Sequence, residues 1–229
     1  EQNPDVVAEY LPVRHDPAAP TLTNEVTTIA AFDPDVFISM TAGNPCLLAI
    51  QEVEASGLYD RLSAAFTPSV CKGIAAYLAP AGMAADGYWI VGGGAKDTTD
   101  SGKMDEPFIA FARDLISDAG EDAGISLTGE GVFRGYAFTE AFRIADALPG
   151  GMSRTNLMLA LRNFKIYHPG LLDGLVTELK GNADAYFVEG SEYSKFNATD
   201  QTWEMIGDVV DANGGTPNCR WDKANGGCR

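Results

Sequence analysis

The sequence has few of the residues that most metal and catalytic sites require. It contains only two histidines, His15 and His168, and four cysteines, and no CxxC pair occurs among them. Because zinc sites use closely spaced Cys and His ligands, the pattern predicts no metal site, and nothing in it indicates a cofactor. No apolar run approaches the roughly 18 to 20 residues that span a bilayer. These absences predict a soluble globular chain.

Basic residues are scarce as well. Lys and Arg together number 16 against 32 Asp and Glu, which gives a net charge of −16. Nucleic-acid binding needs clusters of Lys and Arg that neutralise phosphates, so the composition excludes nucleic acid as the expected partner. The acidic residues are scattered along the chain, a distribution typical of a solubilising surface.

The first part of the chain has the pattern of a parallel α/β unit. Strand-like apolar runs at residues 6–13, 35–40, 63–70 and 87–93 alternate with helical patterns. The run DVFISM at 35–40 is continuously apolar, which is typical of a parallel strand covered on both faces. Ligands of such sheets collect at the carboxyl ends of the strands.

The composition changes after residue 95 and predicts four segments. Residues 1–95 form the α/β unit, and the polar stretch 96–106 forms a crossing between two parts of the molecule. Residues 107–182 carry helical patterns, with Ser153 as the cap of the last helix. Residues 183–229 predict short strands in an antiparallel meander.

Cys46 begins a helix directly after a strand, at a corner where many enzymes place a nucleophile. Cys71 ends the next strand, and neighbouring strand ends are close enough for a disulfide. Three interpretations are open: a Cys46–Cys71 disulfide, two free structural thiols, or a nucleophile with His15 as its base. Cys219 and Cys228 flank a Gly/Asn-rich loop that a second disulfide could close, which favours an exported protein in an oxidising compartment.

Two polar loops follow neighbouring strands of the predicted sheet. They consist of Thr41, Ala42, Gly43 and Asn44 in the first loop and Thr67, Pro68 and Ser69 in the second. Hydroxyls, backbone N–H groups and one amide side chain make a polar wall for a small ligand, with no evident catalytic group. The sequence therefore predicts a binding surface here and not an active site.

The order and spacing of three stretches resemble the type I periplasmic solute-binding proteins of ABC transporters, in the branched-chain amino-acid and amide group. The stretches are VVAEYLPV through EASGL (6–58), GMAADGYWIVG (82–92) and GVFRGYAFTEAFRIADAL (131–148). The resemblance implies two three-layer α/β/α lobes with parallel sheets. It also implies that the chain begins inside the second lobe and lacks the start of both lobes.

The same resemblance implies a function without catalysis. A small solute would be held between the lobes by hinge closure, and ABC permease subunits would be the protein partners. The loops at 41–44 and 67–69, together with Phe133 and Tyr136, would contact the solute. Family members that bind amino acids offer an acidic group at the second loop, where this chain has Thr-Pro-Ser. The expected solutes are therefore branched-chain amino-acid-like, amide or aromatic compounds, with the last two favoured.

The implied location is outside the cytoplasm, with membrane contact only through a lipid anchor not contained in this chain. Two alternatives stay open at this point. One is a ligand-sensing domain of the same fold in a receptor, and the other is a Cys46-dependent hydrolase.

Overall fold

The computed structural model describes residues 6–7, 9–181, 183–215, 221–222, 224 and 227–228. The helices are Thr23–Phe32 (α1), Asn44–Ala55 (α2), Ala79–Ala81 (α3), Pro107–Asp118 (α4), Ser126–Ala147 (α5) and Arg154–Arg162 (α6). The strands are Val36–Ile38 (β1), Ala64–Thr67 (β2), Trp89–Val91 (β3), Lys165–Ile166 (β4), Thr177–Glu178 (β5), Gly190–Ser191 (β6), Tyr193–Asn197 (β7), Thr202–Met205 (β8), Val210–Asp211 (β9), Trp221–Asp222 (β10) and Gly227–Cys228 (β11).

The chain divides into two compact units. The first unit contains residues 1–91 and 194–204, and the second contains residues 92–193 and 205–229. The first boundary lies close to the predicted one at residue 95. The predicted segment 183–229 is divided between the units, because β7 and β8 extend the sheet of the first unit.

The first unit is built on a five-stranded sheet of order β1-β2-β3-β7-β8. Strands β1, β2 and β3 pair in parallel, as the alternation of strands and helices predicted. Main-chain hydrogen bonds join Tyr88 to Phe196 and Gly92 to Glu192, which is the pattern of antiparallel pairing between β3 and β7. The sheet is therefore mixed.

One face of this sheet carries the core of the first unit. Apolar side chains of the strands, such as Phe37, Ala65 and Ile90, are buried against residues of α1 and α2, such as Val26 and Ile50. This core follows the period of two in the strands and the apolar stripe of each helix.

Two expectations for the first unit are corrected by the structure. Residues 6–7 and 9–13 form no strand, and Val6 and Tyr10 are largely exposed. The outer side of β1 is open, because Val36 and Ile38 are exposed while Phe37 is buried. β1 lies at the edge of the described sheet. The apolar run at 35–40 predicts a strand covered on both faces, but the described residues bury only the face that carries Phe37.

The chain stays helical through Pro80. A π-helical turn at Ile74–Leu78 leads directly into α3, and Pro80 occupies the first turn of α3. Pro is tolerated at that position because its missing N–H would have no intrahelical partner there.

The second unit consists of α4, α5 and α6 with short antiparallel ladders. The ladders pair β4 with β5, β6 with β9, and β10 with β11. The predicted cap of α6 is confirmed, since the Ser153 hydroxyl accepts a hydrogen bond from the Asn156 N–H at 3.1 Å. No helix in the described part of the chain is long and apolar enough to cross a membrane.

Candidate functional site

The two polar loops leave the sheet of the first unit side by side. Ile38 pairs with Phe66 in the parallel register of β1 and β2, so the residues that follow each strand emerge at the same edge. The first loop runs into α2, and the second runs into a short 3₁₀ turn at Ser69–Cys71. The predicted loops are thus neighbours at the carboxyl edge of the sheet.

A disulfide joins these two loops. Cys46 and Cys71 are bonded, with their Cα atoms 5.6 Å apart, and both are almost completely buried. The bond links the first turn of α2 to the turn that follows β2. Because a disulfide sulfur carries no thiolate, it removes Cys46 as a nucleophile and leaves the first of the three interpretations.

Both threonines of the predicted site lie beneath the surface. Thr41 is 7% exposed, and its hydroxyl lies 2.7 Å from the Ser39 hydroxyl and 3.6 Å from the Cys71 sulfur. Thr67 is 3% exposed, and its hydroxyl finds no hydrogen-bond partner among the described residues. Native structures seldom leave a buried hydroxyl without a hydrogen-bond partner, so the Thr67 hydroxyl under the loops is an exception to this rule.

The exposed part of the site is the start of α2 together with Ser69. Ala42, Gly43, Asn44 and Ser69 are all exposed. Gly43 has φ of +66°, a conformation that favours glycine, and nothing lies within 4 Å of where its Cβ would be. The Asn44 amide therefore stands at the positive end of the α2 dipole, beside an open approach for a polar or anionic group.

Pro68 is half-buried at the base of the second loop, between the buried Thr67 and the exposed Ser69. Sequence reasoning did not select Ser39, whose hydroxyl bonds Thr41. Alternation along the strand could have indicated it, because Ser39 continues the buried side of β1 that includes Phe37.

In the second unit, Phe133 is part of an aromatic core cluster. It is 6% exposed, with its ring centroid 5.4 Å from that of Phe108 and 5.7 Å from that of His168. Tyr136 is half-buried and lines an apolar groove of about 610 Å³ between α4 and α5. Burial therefore makes Phe133 a packing residue in this structure, while Tyr136 keeps part of its ring accessible.

His168 is a second buried residue that no sequence pattern indicated as part of a site. Its Nε2 lies 3.0 Å from the Phe133 carbonyl oxygen, and its Nδ1 accepts a hydrogen bond from the Gly170 N–H at 3.2 Å. These contacts require the neutral tautomer with its proton on Nε2. Burial lowers the pKa of the imidazole, and the hydrogen bonds to backbone groups only partly oppose that shift.

The second predicted disulfide includes Cys219, which lies outside the described residues, so the pairing of Cys219 with Cys228 stays a prediction.

Comparison with known proteins gives a match in structure and none in sequence. No protein-family model and no curated protein matches the chain. A branched-chain amino acid ABC transporter protein from Thermus thermophilus with bound valine is similar in fold, with a TM-score of 0.68 and 14% identity. The match covers 83% of this chain and 49% of that one.

Two further solved structures agree. An ABC transporter solute-binding protein from R. palustris in complex with 4-hydroxybenzoate has a TM-score of 0.64 and 14% identity, over 87% of this chain and 50% of that chain. A leucine-, isoleucine-, valine-, threonine- and alanine-binding protein from Brucella ovis has a TM-score of 0.59 and 15% identity, over 90% and 50%. This chain spans about half the length of these solved structures.

These similarities confirm the fold that the sequence resemblance implied. Over about half the length of that fold, the chain has the architecture of the type I periplasmic solute-binding proteins of ABC transporters.

Proposed function

We propose that this chain provides the second-lobe binding surface of a solute-binding protein that serves an ABC importer. The observation that carries the proposal is the pair of loops at the carboxyl edge of the β1–β2 ladder, which the Cys46–Cys71 disulfide holds together. Their exposed residues offer an amide, a hydroxyl and a helix N-terminus. Such groups bind the polar end of a small solute without altering it chemically.

The nature of the solute follows from the groups that surround this surface. Neither 41–44 nor 67–69 contains a carboxylate to bind an ammonium group, whereas the start of α2 suits a carboxylate or carbonyl oxygen. We therefore propose a small carboxylate or amide with an apolar body as the solute. Phe133 and Tyr136 stay a prediction from the family resemblance as further contacts, and the burial of Phe133 favours Tyr136 of the two.

The physiological role follows the same proposal. Solute binding would shift an equilibrium between open and closed forms of the intact protein, and the closed form would dock on the permease. The protein would act outside the cytoplasm, where the disulfide is stable. A lipid anchor contributed by sequence outside these residues would keep it at the membrane.

A binding assay on the intact gene product tests the proposal. Isothermal titration with valine, leucine, benzoate and 4-hydroxybenzoate should identify at least one solute that binds. A saturating concentration of that solute should raise the melting temperature of the protein. Asn44→Ala should weaken the binding about tenfold, since one hydrogen bond is lost. Asn24→Ala is the matched control, because Asn24 is an exposed amide on α1 of the same unit.

Two results would contradict the site. Equal affinities of the Asn44→Ala and Asn24→Ala proteins would place the solute elsewhere. Failure of every solute in a broader panel of carboxylates and amides to bind would contradict the proposed function itself.

A further inference from the structure

The hairpin that joins β7 to β8 carries a short sequence pattern that solute binding does not use. Asn197, Ala198 and Thr199 form Asn-X-Thr, the acceptor pattern for N-linked glycans, with no proline in the middle position. The chain contains ten asparagines, and no other one is followed two positions later by Ser or Thr. An N-linked glycan on this chain therefore has a single acceptor position.

The pattern lies at the end of β7 and in the turn at residues 198–201. Along β7, Lys195 is exposed and Phe196 is buried, so the alternation of the strand places Asn197 on the outward side. Ala198 is 7% exposed, and its N–H donates a hydrogen bond to the Asp86 carboxylate at 3.0 Å. Thr199 is exposed. The small middle residue thus anchors the turn, and the two residues that define the pattern lie on its outer side.

The hydrogen bonds of the Asn197 side chain are compatible with a group attached to its nitrogen. Nδ2 donates to Glu204 Oε1 at 2.8 Å and to Asp200 Oδ2 at 3.1 Å, and both carboxylates belong to exposed residues. A glycosylated amide keeps one N–H, and water replaces the lost bond at an exposed carboxylate at little cost. Oδ1 accepts a hydrogen bond from the Asp200 N–H at 2.9 Å, which the modification leaves in place.

The turn lies at the edge of the sheet opposite the two polar loops. The Gly87 N–H donates to the Phe196 carbonyl oxygen, and Ala198 bonds Asp86, so the turn adjoins the residues that precede β3. The polar loops follow the ends of β1 and β2, and β1, β2 and β3 are parallel. Because parallel strands all begin at one edge and end at the other, a bulky group on Asn197 leaves the approach to the loops open.

We propose that Asn197 is the attachment site of an N-linked glycan. The Cys46–Cys71 disulfide favours an oxidising compartment, and this acceptor pattern is used on surface loops of exported chains. The proposal shares the export of the chain with the proposed function and needs no solute.

The transfer requires a lipid-linked oligosaccharide phosphate as the donor and a transferase as the catalyst. Asn197 Nδ2 forms a bond to the anomeric carbon of the sugar, and a base of the transferase takes one Nδ2 proton. The lipid phosphate leaves with the electron pair of the broken carbon–oxygen bond. Nothing is oxidised or reduced in this exchange.

Mass spectrometry of the gene product from its native host tests the proposal. The peptide that contains Asn197 should carry the mass of a glycan, and a glycosidase that cleaves the bond between glycan and asparagine should leave aspartate at position 197. Thr199→Ala should abolish the added mass, because it destroys the pattern. Thr199→Ser is the matched control, since it keeps the hydroxyl and should retain the glycan.

Three results would overturn the proposal: an unmodified Asn197 in the wild-type product, an added mass that survives Thr199→Ala, or a glycan located on a Ser or Thr side chain. Solute titration separates this proposal from the proposed function. An unmodified protein that binds solute would remove the glycan and leave the function, and a glycosylated protein that binds no solute would do the reverse. Circular dichroism of both Thr199 variants confirms that a lost glycan does not reflect misfolding.

Discussion

At the scale of single residues, the buried hydroxyls of Thr41 and Thr67 under the two polar loops have opposite expected effects on stability. The Thr41 hydroxyl has a partner in Ser39, whereas the Thr67 hydroxyl has none among the described residues. Removing a paired hydroxyl loses a hydrogen bond, but removing an unpaired one relieves a desolvation cost. Two residues of the same type, 26 positions apart in the printed sequence, thus provide a matched comparison.

We predict that Thr67→Val raises the free energy of unfolding by about 1 kcal/mol and that Thr41→Val lowers it by a similar amount. Urea denaturation of the solute-free chain measures both. Equal destabilisation by the two substitutions would show that the Thr67 hydroxyl has a partner in solution, such as an ordered water.

His168 predicts a pH dependence of stability. Burial lowers its pKa in the folded chain below the value of 6.5 for a free imidazole. As the pH falls through 6.5, the unfolded chain takes up a proton first, so the free energy of unfolding falls until the folded chain titrates as well. His168 thus costs no stability above that pH and lowers stability below it.

The measurement is urea denaturation at a series of values from about pH 8 to about pH 5, on the wild type and on His168→Gln. Glutamine can still donate to the Phe133 carbonyl but does not titrate, so the variant should lose less stability on acidification. An identical pH dependence in both proteins would show that other groups cause the effect.

At the scale of elements, the disulfide fixes the start of α2 against the end of β2. The bridge closes a loop with a sequence separation of 25 residues. Without it, the exposed amide of Asn44 and the hydroxyl of Ser69 would depend only on the β1–β2 pairing for their relative position. The element-level role of Cys46 is therefore to hold the two polar loops together.

Replacing both cysteines, as Cys46→Ala with Cys71→Ala, should lower the free energy of unfolding by about 3 kcal/mol, the loss expected for a loop of this length. Solute affinity of the intact protein should fall as well, because the loops lose their mutual restraint. Denaturation and titration of the double variant measure the two effects. Unchanged affinity despite lower stability would show that strand pairing alone positions the loops.

At the scale of the whole molecule, the net charge of −16 dominates the response to salt. Like charges that repel one another destabilise a compact state, and salt screens this repulsion. Raising sodium chloride from about 10 mM to about 150 mM shortens the Debye length from about 30 Å to about 8 Å. The melting temperature should rise by a few degrees over that range.

Choline chloride at the same ionic strength is the control, since it screens charge without offering a small cation to bind. A rise in sodium chloride alone would indicate cation binding and contradict general screening. A fall in both salts would show that attractive ion pairs outweigh the repulsion.

The sequence by itself determined the α/β alternation, the helices from α4 to α6, the cap at Ser153 and the two neighbouring loops. These features depend on local periodicity and on residues a few positions apart, so a single chain displays them directly. The sequence also predicts that Cys46 and Cys71 lie at adjacent strand ends. It does not distinguish a pair of free thiols from a disulfide.

Only the tertiary structure decided which side chains face the solvent and which lie below it. The sequence predicts Thr41 and Thr67 as ligand contacts, but both side chains are buried. It predicts DVFISM as a strand covered on both faces, but Ile38 is exposed. His168 acquired its neutral tautomer from Phe133 and Gly170, which stand at different places in the chain. The reason is that burial and hydrogen-bond pairing depend on residues distant in sequence. Local sequence patterns do not specify which of those residues become neighbours.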